Sequence, residues 1–130
     1  MNKTIAAQLT HAQNQCDEAQ LRKLLSPDFK SHISDVAQPM TRDQYIEGVK
    51  MAHQAFSDLI FTIKDTICEN DKVVLRIIAR GRHTGEYMGI APTQNLVEFA
   101  GITIRRIRDG QVIEEWQTND QLSLLRQISH

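Results

Sequence analysis

Several side chains able to move a proton or hold a polar ligand stand where the local pattern turns them inward. Asp120 closes an alternating run and immediately precedes the helical run Gln121 to Gln127. A carboxylate in a mostly apolar surrounding is raised above its ordinary pKa of about 3.9. It can then take a proton from a carbon flanked by carbonyls and return it to the developing alkoxide. Asp is also a favoured helix N-cap, so capping and acid/base roles both stand at this position. His83 shares a strand face with Val73, Leu75, Ile77, Ala79 and Gly81. There an imidazole could donate to a substrate oxygen or move a proton, or it could be a core histidine satisfied by a backbone carbonyl. His53, on a helical stripe between Val49 and Phe56, and His32, in a short extended segment, could line a pocket or simply pack.

The last hairpin decides which arginine joins them. Asp109-Gly110 is the strongest short hairpin signal in the chain. A two-residue turn would pair Arg108 with Gln111 and give Asp120 a face shared with Thr103 and Arg105. A three-residue turn with a glycine bulge would pair Ile107 with Gln111. It would set Ile102, Ile104 and Arg106 beside Glu114, Trp116, Thr118 and Asp120. The second is expected because it gathers Ala100, Ile102 and Ile104 with Val112 and Trp116 on one concave, pocket-facing side. Arg106 would then hold an enolate or carboxylate oxygen, or pair with Glu114 or Glu115. Trp116 would pack the core and offer a surface for a planar ligand.

Other chemistries lack their signatures. The chain has no Gly-x-Ser-x-Gly elbow, no Gly-rich phosphate loop and no His-Glu-x-x-His pattern. Its five histidines, at 11, 32, 53, 83 and 130, are dispersed, and Cys16 and Cys68 have no metal-type spacing. No metal or organic cofactor is expected, and the cysteines read as reduced thiols. The arginines at 76, 80, 82, 105 and 108 are offset by flanking acids to a net charge of −1, so a solvated or subunit-facing surface is expected rather than a nucleic-acid site. No run of about 18 apolar residues occurs, and the N-terminus lacks the apolar stretch of a signal peptide; no membrane partner and a cytoplasmic location are expected.

The elements that must position these groups follow from periodicity. At 130 residues the chain fits one domain, residues 1–130. Ile5, Leu9, Ala12 and Cys16 form one helical stripe, and a short helix with Leu21, Leu24 and Leu25 begins at the Asp17/Gln20 capping pattern and stops at Ser26-Pro27. Residues 28–34 are extended. Thr41 and Gln44 repeat the capping spacing ahead of a helix with Tyr45, Val49, Ala52 and Phe56 on its buried stripe. From Asp58 the period becomes alternating, predicting strands to about residue 68, over 72–83, 96–107 and 111–120, then a short helix to 127. Helices followed by hairpin-connected strands predict an α+β domain with helices on one face of an antiparallel sheet.

The run Phe56-Ser57-Asp58-Leu59, His83-Thr84-Gly85-Glu86-Tyr87-Met88-Gly89-Ile90-Ala91-Pro92-Thr93, Glu98-Phe99-Ala100-Gly101-Ile102, Arg106-Ile107-Arg108-Asp109-Gly110 and Glu114-Glu115-Trp116, closed by Asp120 and Leu124-Leu125, resembles the SnoaL-like polyketide (ester) cyclases. The likeness is dense from about 56 to 127. It departs where Pro92-Thr93 is followed by Gln94-Asn95 instead of glycine, and where Ser57 replaces a proline.

The resemblance implies a cone-shaped α+β barrel of the nuclear-transport-factor-two type, a curved antiparallel sheet wrapped around the N-terminal helices with an internal pocket. It also implies a homodimer, which would cover the outer sheet face near Arg76 and Ile78. It further implies cofactor-independent closure of a polyketide ring by intramolecular aldol condensation, or related lyase or isomerase chemistry, on a small hydrophobic or aromatic ligand. Asp120 matches the family's acid/base aspartate, with His83 and Arg106 as the other catalytic candidates. The expected pocket wall is Trp116, His53, Ile104, Ile102, Thr118, Tyr87, Met88 and His32. A non-catalytic binder of the same fold, or a hydrolase using an activated water, are the alternatives.

Overall fold

The computed structural model describes residues 1–34 and 36–129. Helix α1 (Asn2–Gln15) buries Ala6, Leu9 and Ala12 and ends at Cys16 in the left-handed conformation, φ 49°. Helix α2 (Glu18–Leu24) is capped by Asp17, whose carboxylate accepts the Gln20 N–H at 3.2 Å. The helix ends one residue earlier than expected because Leu25, with no exposed surface, already pairs with Val112 as the first residue of strand β1 (Leu25–Ile33).

After the two-residue strand β2 (Met40–Thr41), helix α3 (Arg42–Ala55) opens with a capping box. Thr41 Oγ1 accepts the Gln44 N–H at 3.3 Å, and Gln44 Oε1 accepts the Thr41 N–H at 2.9 Å. Two donors that the first helical turn leaves unpaired are thereby satisfied.

Strands β3 (Phe56–Glu69), β4 (Lys72–His83), β5 (Leu96–Arg108) and β6 (Gln111–Asn119) form an antiparallel meander, closed by helix α4 (Gln121–Ile128). The sheet order is β2-β1-β6-β5-β4-β3, and β1 runs parallel to β6. The sheet is therefore mixed, which corrects the all-antiparallel expectation. The chain returns from β1 through α3 and the meander, and such a return can lay the last strand alongside the first in the same direction.

Four register breaks, two in β3, one between β5 and β6 and one between β1 and β6, bend these strands, and the sheet curves without closing. Its concave face carries Val73, Leu75, Ile77, Ala79, Gly81 and His83 of β4, opposite Arg105, Thr103, Gly101, Phe99 and Val97 of β5. Helices α1, α2 and α3 cover one end through Leu9, Leu21, Tyr45 and Ile46, and α4 packs Leu124 and Ile128 at the other.

The β5–β6 hairpin corrects the expected three-residue turn that would have paired Ile107 with Gln111. Arg108 pairs with Gln111 around a two-residue turn in which Asp109 (φ 52°) and Gly110 (φ 77°) are both left-handed. Ile107 then pairs with Val112 but Arg106 with Glu114, so Ile113 is an extra residue that reverses the face of everything beyond it. Ile102, Ile104 and Arg106 do share a face with Trp116 and Thr118, but it is the convex one. The concave face receives Glu115, Gln117 and Asn119.

Among the described residues no helix is long and apolar enough to cross a membrane.

Candidate functional site

Between the concave sheet and the helices lies a cavity of about 680 Å³. Its walls are mainly apolar: Met40, Val49, Ala52 and Ala55 from β2 and α3, Phe56, Leu59 and Phe61 from β3, Ile77 and Phe99 from the sheet, and Leu124 from α4. That volume suits a drug-sized organic ligand.

One end is polar and fully wired. Arg105 and Glu115, each 1% exposed, face one another across β5 and β6, with Nε donating to Glu115 Oε2 at 3.0 Å. The Arg105 guanidinium also donates to the Ala6 carbonyl (2.6 Å), Thr10 Oγ1 (2.7 Å) and Gln13 Oε1 (3.2 Å) of α1. Since guanidinium only donates, Gln13 must present its carbonyl to Arg105 and its amide nitrogen to the Tyr45 hydroxyl. The Tyr45 O–H in turn donates to Glu115 Oε2 at 3.2 Å, closing a ring of four side chains. Ser31 Oγ (2.9 Å) and Gln117 Nε2 (3.0 Å) donate to the other carboxylate oxygen. Burial, followed by the Glu115 charge, pushes the Tyr45 hydroxyl well above its ordinary pKa.

His53 stands on the α3 wall with its Nε2 2.8 Å from the Gln13 carbonyl. A carbonyl accepts only, so Nε2 carries the proton and, in the neutral ring, Nδ1 keeps the lone pair. Gln13 thus serves the site twice, with its backbone orienting His53 and its side chain joining Arg105 to Tyr45.

The far wall belongs to the loop between β4 and β5. Tyr87 and Ile90 exchange backbone hydrogen bonds across a tight turn, and Gln121 Nε2 donates to Tyr87 Oη at 2.7 Å, tying that turn to α4. The loop starts at Gly85, where a Cβ would come within 2.2 Å of the Gln54 carbonyl oxygen; only glycine allows this approach to the end of α3.

Of the residues expected at the site, His53, Tyr87 and Met88 line the cavity. Arg106, Ile104 and Ile102 lie on the convex face, a correction that follows from their pairing with Lys72, Val74 and Arg76 of β4, and the extra residue at Ile113 sets Trp116 and Thr118 there beside them. His32 lies there too, paired with Trp116 in parallel register and stacked on it at 5.6 Å. Arg106 sits 5.4 Å over the same indole and pairs with Glu114 at 3.2 Å, so its ion pair is the one expected as an alternative to ligand binding.

His83 is fully buried on the concave face, where Nδ1 accepts the Thr93 N–H at 3.2 Å. Its Nε2 has no partner among the described residues, and Phe56, a cavity wall, stands against it at 5.5 Å. Asp120 is exposed and caps α4, Oδ1 accepting the Ser123 N–H at 3.0 Å; its neighbours Asn119 and Gln121 line the cavity, but Asp120 itself is not among the lining residues. The expected common orientation of Trp116 and Asp120 toward the concave side is therefore not found.

The sequence reading missed Arg105, Glu115, Tyr45, Gln13 and Gln117 as a group. Cross-strand parity was the available signal: once Leu75 and Ile77 are inside, their partners Thr103 and Gly101 are inside, and Arg105 follows two residues on. Among the described residues no cluster of three or more His, Cys, Asp or Glu could hold a metal; His130, one of the dispersed histidines, lies outside them.

The sequence profile of the SnoaL-like polyketide cyclases matches residues 3–128. IdmH from Streptomyces antibioticus, a candidate polyketide cyclase, is 29% identical and superposes with a TM-score of 0.89, covering 100% of this chain and 99% of its own. AclR from Streptomyces galilaeus, a candidate hydroxylase, is 28% identical with a TM-score of 0.88, covering 98% of this chain and 83% of its own. A candidate SnoaL-like polyketide cyclase from Jannaschia sp. CCS1 shares the fold at 24% identity, with a TM-score of 0.90 over 98% of this chain and 91% of its own. No protein of curated function matches the sequence. With a profile match running nearly end to end over this curved sheet and its cavity, the protein belongs to the SnoaL-like polyketide cyclase family.

Proposed function

We propose that the protein is a cofactor-independent cyclase-like enzyme that closes a ring in a small, carbonyl-rich, polyketide-like ligand by intramolecular aldol-type condensation. The observation that carries this reading is the cavity itself, with an apolar wall large enough for an extended ligand and one hydrogen-bonding end. Such a site orients a flexible chain so that one carbon meets one carbonyl, the main requirement when the substrate already has acidic carbon-bound protons.

In this reading Asp120 is the acid/base. The Ser123 amide fixes one of its carboxylate oxygens, and the other carries no hydrogen bond among the described residues. It takes the carbon-bound proton, the resulting enolate carbon bonds to a second carbonyl carbon, and the alkoxide so formed recovers the proton. Substrate and product are isomers. Related lyase or isomerase chemistry would use the same proton transfer. The AclR likeness is a reminder that one fold hosts several reactions.

A second reading, a non-catalytic binder, is favoured by a specific observation: Asp120 already has a structural task as a helix cap, and the Glu115 carboxylate is saturated by four donors. Incubating the purified protein with a linear β-polyketone ester separates the two. A product of unchanged mass and altered ultraviolet spectrum, absent without protein, supports the enzyme; binding without conversion supports the binder.

We also propose a homodimer through the convex face, where Ile60, Ile67 and Ile102 are 47%, 64% and 45% exposed. Light scattering on wild type and Ile102→Asp tests it: a wild-type dimer that the substitution dissociates agrees, and a wild-type monomer at micromolar concentration does not.

A further inference from the structure

We propose that the ring of Gln13, Tyr45, Glu115 and Arg105 is a ligand anchor that selects an uncharged oxygen, a ketone or its enol, and rejects a carboxylate. It rests on the carbonyl-substrate reading above and deepens it by naming the group that the closed end receives.

The direction of every hydrogen bond in the ring is fixed by chemistry. Arg105 donates to Glu115 and to Gln13, Gln13 donates to Tyr45, and Tyr45 donates to Glu115. With Ser31 and Gln117 also donating, both Glu115 oxygens are fully occupied. Arg105 commits all but one of its N–H donors to the described residues, and Gln13 keeps one of its two amide hydrogens. Arg105 and Gln13 thus each keep a spare N–H donor, while the Tyr45 hydroxyl and the Gln13 carbonyl each keep one lone pair. His53 on the cavity wall keeps Nδ1 as an acceptor for an enol O–H.

Charge then decides which acceptor fits. The buried Arg105 cation is already neutralised by a carboxylate at 3.0 Å, so the closed end has no net positive charge to repay the desolvation of an anion. An incoming carboxylate would also stand near the Glu115 charge. A carbonyl oxygen needs only the spare N–H groups and meets neither penalty.

Calorimetric titration of the full chain with three bicyclic probes of similar size tests the proposal: 2-acetylnaphthalene, 2-naphthoate and 2-ethylnaphthalene. Wild type is expected to bind the ketone at least about tenfold more tightly than either the carboxylate or the hydrocarbon. The triple replacement Gln13→Met, Arg105→Met and Glu115→Leu removes the spare N–H donors of both residues together with the buried ion pair and is expected to bring ketone and hydrocarbon within about threefold of each other. Glu115→Gln leaves Arg105 uncompensated and is expected to reverse the preference toward 2-naphthoate; if neither variant folds, the wild-type comparison of the three probes decides alone. Equal or tighter binding of 2-naphthoate by wild type, or an undiminished ketone advantage in the triple variant, overturns the anchor. Ring closure without ketone preference fails the anchor and keeps the cyclase, whereas ketone preference without ring closure fails the cyclase and keeps the anchor.

Discussion

Arg105 on β5 and Glu115 on β6 are directly paired across the hairpin, and their side chains meet at 3.0 Å with 1% exposure each. Pairing with Val73 of β4 turns Arg105 inward, and the two-residue turn with the extra residue at Ile113 brings Glu115 opposite it. Removing one partner strands a buried charge. Glu115→Gln is therefore expected to cost about 3–5 kcal/mol in urea unfolding, while the double replacement Arg105→Met with Glu115→Leu recovers much of that loss. A cost below about 1 kcal/mol for the single change would contradict a buried, structurally required pair.

Tyr45 gives a pH dependence with a defined sign. Its hydroxyl titrates higher in the folded protein than in the unfolded chain, where the value is about 10. The folded state thus favours the protonated phenol, a stabilisation fully present below about pH 10 and lost as pH rises toward the folded value. Stability is expected to fall between pH 9 and 11 more steeply in wild type than in Tyr45→Phe, as measured by urea midpoints. Equal slopes would mean that the hydroxyl is not shielded.

Asp120 separates its two roles by substitution. Asp120→Ala should lower stability by about 1 kcal/mol through loss of the cap, and Asp120→Asn by only a few tenths because Asn caps equally well. Acid/base chemistry needs a titrating group, so Asp120→Asn should still bind ligand but turn over about a hundredfold more slowly or worse. Wild-type turnover in Asp120→Asn would leave the residue as a cap.

Gly85 ties the Tyr87–Met88 wall to the end of α3. Because a methyl group there would press on the Gln54 carbonyl, part of the backbone, Gly85→Ala is expected to cost about 1–3 kcal/mol. It should also raise amide exchange in residues 86–90; unchanged exchange would show that the loop is held independently of Gly85.

Most of the architecture was legible because helix and strand periods differ. The Thr41 capping box and the alternation in β4 each appear in the structure within a residue or two of their expected place. The parallel pairing of β1 with β6 was not legible, since no local pattern in Leu25–Ile33 names a partner at the other end of the chain. The site was harder still. A buried Arg–Glu pair reads as a surface pair in a hydropathy pattern, and exposed Ile102 beside half-buried Ile104 made the convex face look like the core. A single extra residue, Ile113, then reversed which side of β6 the cavity sees.

The most direct test of the central claim is the conversion of a linear β-polyketone ester by the purified protein without added metal or cofactor, followed by mass spectrometry and carbon NMR. The expected product has the mass of the substrate, one new carbon–carbon bond and one carbonyl carbon converted to a carbinol carbon, and it forms at least about a hundredfold faster with wild type than with Asp120→Asn. Substrate that binds in the cavity yet closes no faster than in buffer would contradict a cyclase and leave a binding protein.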